Sequence, residues 1–271
     1  MTAPTTLMRG ETPRSPTDRT VATPVRPFVR DRKMKKMKDA PVGTTMNEQT
    51  VRLTRGALSL EGILGLPAQA AGIVVFAHGS GSGRFSPRNN FVARHLQQGR
   101  VATLLIDLLT PDEAEDRQKV FDIDLLADRL LLAKAWLEQD ARTMGLGIGY
   151  FGASTGAGAA LQAAVRDPSS IRAVVSRGGR PDLAEPYLPS VTAPTLLIVG
   201  GDDEPVIDMN RAAYRLLACP KRLVIVPGAT HLFEEPGTLE EVAEHARIWF
   251  QQHFHPATQE GTGPQTKEHP R

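Results

Sequence analysis

The 271-residue chain is 41% hydrophobic and 23% charged, the composition of an ordinary globular protein with enough apolar residues to bury a sizeable core. Its formal net charge of +2 is uneven, because residues 1–45 carry ten Lys or Arg against four Asp or Glu, whereas residues 46–271 carry 22 against 26. No apolar run reaches the ~18–20 residues that span a bilayer, so we expect no membrane partner. The one cysteine, Cys219, excludes an intramolecular disulfide, and we expect a cytoplasmic protein. Because the excess of positive charge lies in residues 1–45, we expect the folded part not to bind nucleic acid.

The first segment, residues 1–45, is rich in Thr, Pro and Arg and has few large apolar side chains. Such a composition buries too little surface to offset the entropy of ordering, so the segment predicts a disordered basic tail. A basic arm for nucleic acid, an organelle-targeting peptide and a later translation start (Met34, Met37 or Met46) remain as alternatives. Residues 257–271 are also polar and predict a second disordered tail, which leaves one folded domain at 46–256.

The strands of that domain are predicted by apolar runs. Residues 50–67 indicate two strands joined near Arg55-Gly56, which is a hairpin pattern. The six runs that follow are short and nearly continuous, which is typical of strands covered on both faces of a sheet. They span residues 72–79, 101–108, 146–152, 171–176, 194–201 and 222–228.

Helical segments separate several of these runs. Residues 89–99 end in a C-cap glycine, and residues 238–254 begin with Thr238 and Glu241 at the spacing of a capping box. Residues 122–140 repeat an apolar face with helical period. Its members are Ile123, Leu126, Leu130, Ala133 and Leu137. The alternation predicts one α/β domain, a mostly parallel sheet with an N-terminal antiparallel hairpin and helices on both faces.

The stretch YFGASTGAGAA, residues 150–160, places glycines two positions before and two positions after a serine, Ser154. It follows an apolar strand and opens an Ala/Gly-rich helix, which is the strand–turn–helix setting of a nucleophile elbow. In so tight a turn, larger side chains at Gly152 and Gly156 would clash with the neighbouring strand and helix. The alternative is a serine that only caps a helix of small residues.

The ends of the later strands carry the partners that a nucleophilic serine needs. Ligands of open α/β sheets bind beyond the carboxyl ends of the strands, and a serine hydroxyl needs a base that is itself oriented by a third group. Asp202 and Asp203 follow the seventh predicted strand, and His231 follows the eighth. The order Ser, Asp, His predicts a triad of Ser154, His231 and an aspartate, for which Asp203 is favoured and Asp202 is the alternative.

Serine chemistry also needs two backbone donors for the developing oxyanion. The amide of Thr155, next to Ser154, is one candidate. The glycine-rich loop HGSGSGRFSPRNN, which follows the third strand, offers the amide of Ser80, with Gly81 as the alternative. A phosphate-binding loop is excluded, because no Gly-Lys-Ser/Thr follows and Arg84 stands where the dinucleotide motif needs its last glycine.

Four segments together resemble the motifs of the α/β-hydrolases, in particular their dienelactone-hydrolase-like branch: HGSG, GASTG, GGDDEPV and GATHLFEE. The resemblance covers about residues 51–254, and it implies the α/β-hydrolase fold and the hydrolysis of ester bonds. One position departs from the pattern, because dienelactone hydrolases proper have a cysteine where this chain has Ser154. The departure favours general serine esterase chemistry over lactone specificity.

Arginines near the predicted strand ends are candidates for substrate binding. Arg84, Arg88 and Arg177 follow the third and sixth strands, where a guanidinium group would favour a carboxylate or phosphate on the substrate. Arg180 is a weaker candidate. No long insertion separates the sixth and seventh strands, so we expect small acyl substrates and no lipase-type lid. The acidic stretch 110–122 is expected to be a solvated loop that could also cover part of the cleft.

The predicted reaction is cleavage of a carboxylic ester, thioester or lactone through an acyl-enzyme. In it Ser154 attacks, His231 transfers the proton, and Asp203 orients the imidazole. The amides of Ser80 and Thr155 bind the oxyanion, and we expect neither a cofactor nor a metal. An acyltransferase or peptidase that uses the same triad, or a ligand-binding protein without turnover, are the alternatives.

Overall fold

A computed structural model of the protein describes residues 48–254. The predicted tails at 1–45 and 257–271, and the outermost residues of the predicted domain 46–256, lie outside that range. All eight predicted strands are present. They are β1 (Glu48–Arg55), β2 (Leu58–Gly65), β3 (Gly72–Ala77), β4 (Ala102–Ile106), β5 (Gly147–Ala153), β6 (Ile171–Arg177), β7 (Thr195–Gly200) and β8 (Lys221–Val226).

The strands form a single eight-stranded sheet in the order β1-β2-β4-β3-β5-β6-β7-β8. β1 and β2 are antiparallel and close through Gly56, whose φ of +60° suits glycine at a hairpin turn. β2 is antiparallel to β4, and the remaining neighbours run parallel. The predicted fold class, a mostly parallel sheet with an N-terminal antiparallel hairpin, is confirmed.

Seven α-helices and one 3₁₀ segment lie within the described residues. They are α1 (Pro87–Gln98), α2 (Pro111–Glu115), α3 (Arg117–Val120), α4 (Ile123–Gln139), α5 (Thr155–Arg166), the 3₁₀ segment Pro181–Ser190, α6 (Glu204–Leu216) and α7 (Thr238–Phe254). None of these helices is long and apolar enough to cross a membrane.

Three local expectations differ from the structure. Helix α6 was not predicted from the sequence, and the segment of α2 and α3 was expected to be a loop without helices. The capping box predicted for α7 is wrong: Thr238 lies inside the helix, and its hydroxyl donates to the carbonyl of Glu235 at 2.7 Å instead of accepting from the helix. A glycine, Gly237, with φ of +86°, precedes the helix there.

Helices cover both faces of the sheet, and successive residues of β3 show the division. Ile73 and Val75 belong to the apolar layer beneath α4, α5 and α6, whereas Val74 and Phe76 belong to the layer beneath α1 and α7. All four side chains are at most 1% exposed. Since every β3 side chain is covered, this strand and the loop that leaves it are fixed from both sides.

The turn from β5 into α5 brings three backbone segments unusually close. A Cβ atom at Gly156 would overlap the carbonyl oxygen of Ala77 and lie 2.6 Å from that of His78. A Cβ atom at Gly152 would lie 2.6 Å from the carbonyl oxygen of Gly156. The start of α5 therefore packs directly against the end of β3, and glycine is required at both positions.

We expect Gly156→Ala to lower the free energy of unfolding by about 3 kcal/mol, because the added methyl group meets rigid backbone rather than a side chain that can move. Gly158→Ala on the same helix is the matched control. There the nearest atoms would lie at 3.1 Å, and the gain in helix propensity, about 1 kcal/mol, offsets the crowding. Urea denaturation of the two variants tests this, and equal stability would contradict the packing described.

Candidate active site

A cavity of about 240 Å³ opens beyond the carboxyl ends of the parallel strands, where α/β sheets bind ligands. It brings together residues from four separate segments of the chain. Its lining includes Ser80, Arg88, Ser154, Arg177 and His231. Five of the eight residues that the sequence analysis named as site residues thus lie on one cavity.

Ser154 has an unusual backbone conformation, with φ of 49° and ψ of −121°. Three hydrogen bonds hold it: its N–H donates to the carbonyl of Arg177 at 3.3 Å, and its carbonyl accepts from Arg180 and Ala157 at 3.0 Å each. The side chain makes no capping hydrogen bond to α5. A strained conformation that leaves the hydroxyl free is typical of a nucleophile elbow and not of a serine whose role is to cap a helix.

His231 and Asp203 are in direct contact, since Nδ1 of the imidazole lies 2.7 Å from Oδ2 of the carboxylate. The Asp203 side chain is 12% exposed, whereas Asp202 is exposed to solvent. A carboxylate acceptor selects the tautomer with the proton on Nδ1, which leaves Nε2 as the basic nitrogen. Of the two aspartates left open by the sequence, Asp203 is the one that the structure brings to the histidine.

Backbone contacts between the ends of β7 and β8 bring Asp203 to His231. A Cβ atom at Gly200 would overlap the carbonyl oxygen of Ala229 and lie 2.6 Å from that of Thr230, so only glycine allows the two chains to approach this closely. Asp202 N–H donates to Ala229 at 3.0 Å. In the sequence, the two glycines that begin the GGDDEPV segment are the feature that could have predicted this close approach.

No hydrogen bond joins Ser154 to His231 in the described part of the chain, although both line the cavity. Such contacts are often long before substrate binds. No group of three His, Cys, Asp or Glu residues within 48–254 has the arrangement of metal ligands.

The loop after β3 is locked by a buried histidine. His78 accepts the N–H of Leu108 at Nε2 (3.0 Å), so Nδ1 carries the proton that faces the carbonyl of Gly79, also at 3.0 Å. Burial lowers the pKa of His78 below its ordinary value, although the bond to Gly79 and the charge of Asp107 oppose the shift. The imidazole is therefore neutral and holds the loop that presents Ser80.

The two residues expected to bind an oxyanion are neighbours. The amide of Ser80 donates to the hydroxyl oxygen of Thr155 at 3.0 Å. Thr155 is the first residue of α5, so its own amide has no acceptor within the helix. The amide of Ser80 is engaged, and it would reach an oxyanion by sharing its proton or by rotation of the Thr155 side chain.

Arg84 does not line the cavity, which corrects its assignment as a substrate-binding residue. Its guanidinium group bonds to the carboxylates of Asp107 and Glu61, and its backbone N–H also donates to Asp107 at 2.7 Å. These contacts join the loop after β3 to β2 and to the end of β4. The charge of Arg84 is therefore neutralised within the protein and is not available to a substrate.

Arg177 is the opposite case, a buried arginine without a carboxylate partner in the described region. It is 7% exposed, its Nε has no hydrogen-bond partner among the described residues, and its guanidinium lies 5.9 Å from the centre of the Phe233 ring. Burial, and to a lesser degree the charge of Arg88, lower the pKa of Arg177 to about 10. The group remains charged at neutral pH and faces the cavity that contains Ser154.

Solved structures similar to this chain share this architecture. A dienelactone hydrolase from Anabaena variabilis is 57% identical, with a TM-score of 0.74, and the match covers 77% of this chain and 98% of that one. The esterase domain of a Rhodothermus marinus protein has the same fold at 18% identity, with a TM-score of 0.64 and coverage of 78% of this chain and 100% of that chain.

Proteins from two strains of Mycobacterium tuberculosis, provisionally named phosphoribosyl transferases, are 54% identical over 216 residues, which is 80% of this chain. The match covers 49% of their length, so the chain spans about half of the curated relatives it matches. No family model matches the chain. The identity to the Anabaena protein over nearly its whole length, together with the sheet order and the elbow, shows that the chain belongs to the α/β-hydrolase superfamily, in its dienelactone-hydrolase-like branch of ester-bond hydrolases.

Proposed function

We propose that the protein is a serine hydrolase that cleaves a carboxylic ester, thioester or lactone of a small acyl substrate through an acyl-enzyme. The contact between His231 and Asp203, opposite a strained Ser154 on the same cavity, is the observation that carries the proposal. The phosphoribosyl transferase name belongs to relatives about half of whose length is matched here, and the contact of His231 with Asp203 beside Ser154 supports acyl transfer instead.

The reaction follows from the roles that these positions allow. Nε2 of His231 takes the proton of the Ser154 hydroxyl as its oxygen attacks the acyl carbon, and later delivers the proton to the leaving group. Asp203 keeps the imidazole in the required tautomer and stabilises its charged form. The amides of Thr155 and Ser80 stabilise the oxyanion. Water activated by His231 then releases the acid and restores Ser154.

Arg177 and Arg88 support a substrate that carries a negative charge near the scissile bond. A buried charge is costly unless it is paired, and Arg177 has no carboxylate partner among residues 48–254. Arg88 shares its charge with Glu234, whose Oε1 lies 2.9 Å away and whose side chain is 63% exposed. A carboxylate or phosphate on the substrate would complete the pairing of Arg177, and we propose both arginines as substrate-binding residues.

The proposed partner is therefore a small acyl substrate. A cytoplasmic location is proposed separately, because Cys219 is a free, buried thiol. An acyltransferase or peptidase with the same triad would differ in the acceptor that resolves the acyl-enzyme. Added alcohols and amines that divert the acyl group from water would identify a transferase.

We expect a fluorophosphonate probe to label Ser154 alone, as found by intact mass and peptide sequencing. Asp203→Asn should slow both labelling and ester hydrolysis by about 10³–10⁴-fold, because the imidazole would lose the acceptor that fixes its tautomer. Asp202→Asn, one residue away and exposed, is the matched control and should change either rate less than about threefold. Unlabelled, correctly folded protein would reject the proposed mechanism, and equal losses in the two variants would reject Asp203 as the triad acid.

We expect Arg177→Met to reduce kcat/KM for ethyl hydrogen succinate about 10–100-fold more than for the neutral ester ethyl pentanoate, the range of a lost hydrogen-bonded charge contact. Arg180→Met is the control, since that guanidinium already pairs with Asp182 at 2.7 Å. Initial rates from a pH-stat give both values. A similar loss for the charged and the neutral ester would show that Arg177 supports the structure without selecting the substrate.

A further inference from the structure

A second, larger cavity of about 410 Å³ adjoins the one that contains Ser154. The two share Gly79, Ser80 and Ser82 of the oxyanion loop, and Thr155, which lines the second cavity, is the neighbour of Ser154 in the chain. A group bound in the second cavity would thus lie across the oxyanion loop from the arginines. Nothing in the reaction described above uses this space.

The side of the second cavity that faces away from the loop after β3 is apolar, formed by side chains of residues 109–126. Leu109 and Leu126, 8% and 3% exposed, lie deep in it. Ala114 of α2 and Val120 of α3 form its outer side. The loop that carries Thr110 forms another part of its wall.

The titratable groups that line this cavity are neutral or paired. Asp107 is bonded to Arg84, and His78 is held neutral by burial and by its bond from Leu108. The first cavity, in contrast, contains the charged guanidinium of Arg177 without a carboxylate partner. Burial of apolar surface is the main favourable contact that the second cavity offers, so the two cavities suit opposite ends of an amphipathic molecule.

The outer wall of the second cavity contributes little to the core, which only the partly buried Val120 contacts. No residue of α2 or α3 is buried, and the two helices are held by a capping box at Thr110 and Glu113 and by the ion pair of Glu113 with Arg129 at 2.7 Å. Side chains on this wall can be changed without opening the core. They are suited to setting the size of a bound group.

We propose that the cavity lined by Leu109, Ala114, Val120 and Leu126 binds the apolar part of the substrate, so that the preferred ester has an acidic group at one end and an apolar chain or ring at the other. This inference rests on the proposed function, because it needs the scissile carbonyl at Ser154. It adds the class of substrate, an amphipathic monoester, to the reaction type.

Two mirror-image series of esters test the inference. Alkyl hydrogen succinates, from methyl to hexyl, carry the acid on the acyl side, and acyloxyacetates, from acetyl to heptanoyl, carry it on the alcohol side. In one of the two series kcat/KM should rise with chain length, by up to about fourfold for each methylene that becomes fully buried. The series that responds identifies which half of the ester the cavity takes.

The variant Ala114→Trp should fill the outer part of the cavity and reduce the ratio of kcat/KM for the longest to the shortest ester at least about tenfold. Glu115→Trp is the matched control, because it places the same bulk on the same helix at an exposed residue that does not line the cavity. Its ratio should equal that of the unmodified protein. Circular dichroism and thermal melting confirm that both variants are folded.

Each outcome separates this inference from the proposed function. Wild-type protein that reacts with the fluorophosphonate probe but shows no chain-length dependence in either series would overturn the inference and leave the serine hydrolase intact. An equal fall of the ratio in both tryptophan variants would also overturn it. Absence of labelling and of all hydrolysis would reject the proposed function, and with it the substrate class.

Discussion

The close approach of backbone at the start of α5 is the constraint on which the rest of the site depends. Gly156 packs against the carbonyl oxygens of Ala77 and His78, and Gly152 packs against the first turn of α5. With both glycines in place, the chain can turn from strand to helix within one residue, and Ser154 takes the positive φ that this turn needs. Its three backbone hydrogen bonds, one to the last residue of β6 and one to the segment that follows, hold the strained conformation.

The same contact sets the position of the loop after β3, which carries Ser80. Because the carbonyls of Ala77 and His78 lie against Gly156, the loop that begins there must pass beside Ser154 and Thr155. His78 then fixes its course through the amide of Leu108, at the end of β4. Packing of backbone therefore places Ser154 beside its two proposed amide donors.

Most of the fold and the proximity of the proposed triad residues could be predicted from the sequence, because each depends on a local pattern. Apolar runs marked all eight strands, and Ser154, Asp203 and His231 follow strands whose carboxyl ends meet at one edge of the sheet. Helix α6 was missed although it is amphipathic, because its buried apolar residues are only Val206, Ile207 and Ala213 and the rest of the segment is mostly polar. The start of α7 was predicted one residue too late, as helix boundaries often are, so the capping box expected at Thr238 does not form.

The fate of each arginine could not be read from the sequence. Arg84, Arg88 and Arg177 were equal candidates, since each follows a strand in a loop. Their partners come from distant parts of the chain: Glu61 lies 23 residues before Arg84, and Glu234 lies 146 residues after Arg88. Only the folded structure shows that the charge of Arg84 is neutralised and that Arg177 is buried without a counterion in the described range.

The contrast between the tightly packed backbone around Ser154 and the exposed wall of the second cavity explains how one fold can keep its reaction while its substrate changes. The groups that would perform the reaction are fixed by glycines and buried strands, where a single added methyl group meets backbone. The groups that would choose the substrate lie elsewhere: Arg177 at the end of β6, and a wall of two short helices that contributes no buried residue. An alteration of that wall costs the core little, so selection can act on substrate size without disturbing Ser154. Arg177 would vary less freely, because an uncharged replacement would leave the proposed acidic group of the substrate without its counterion in the cavity.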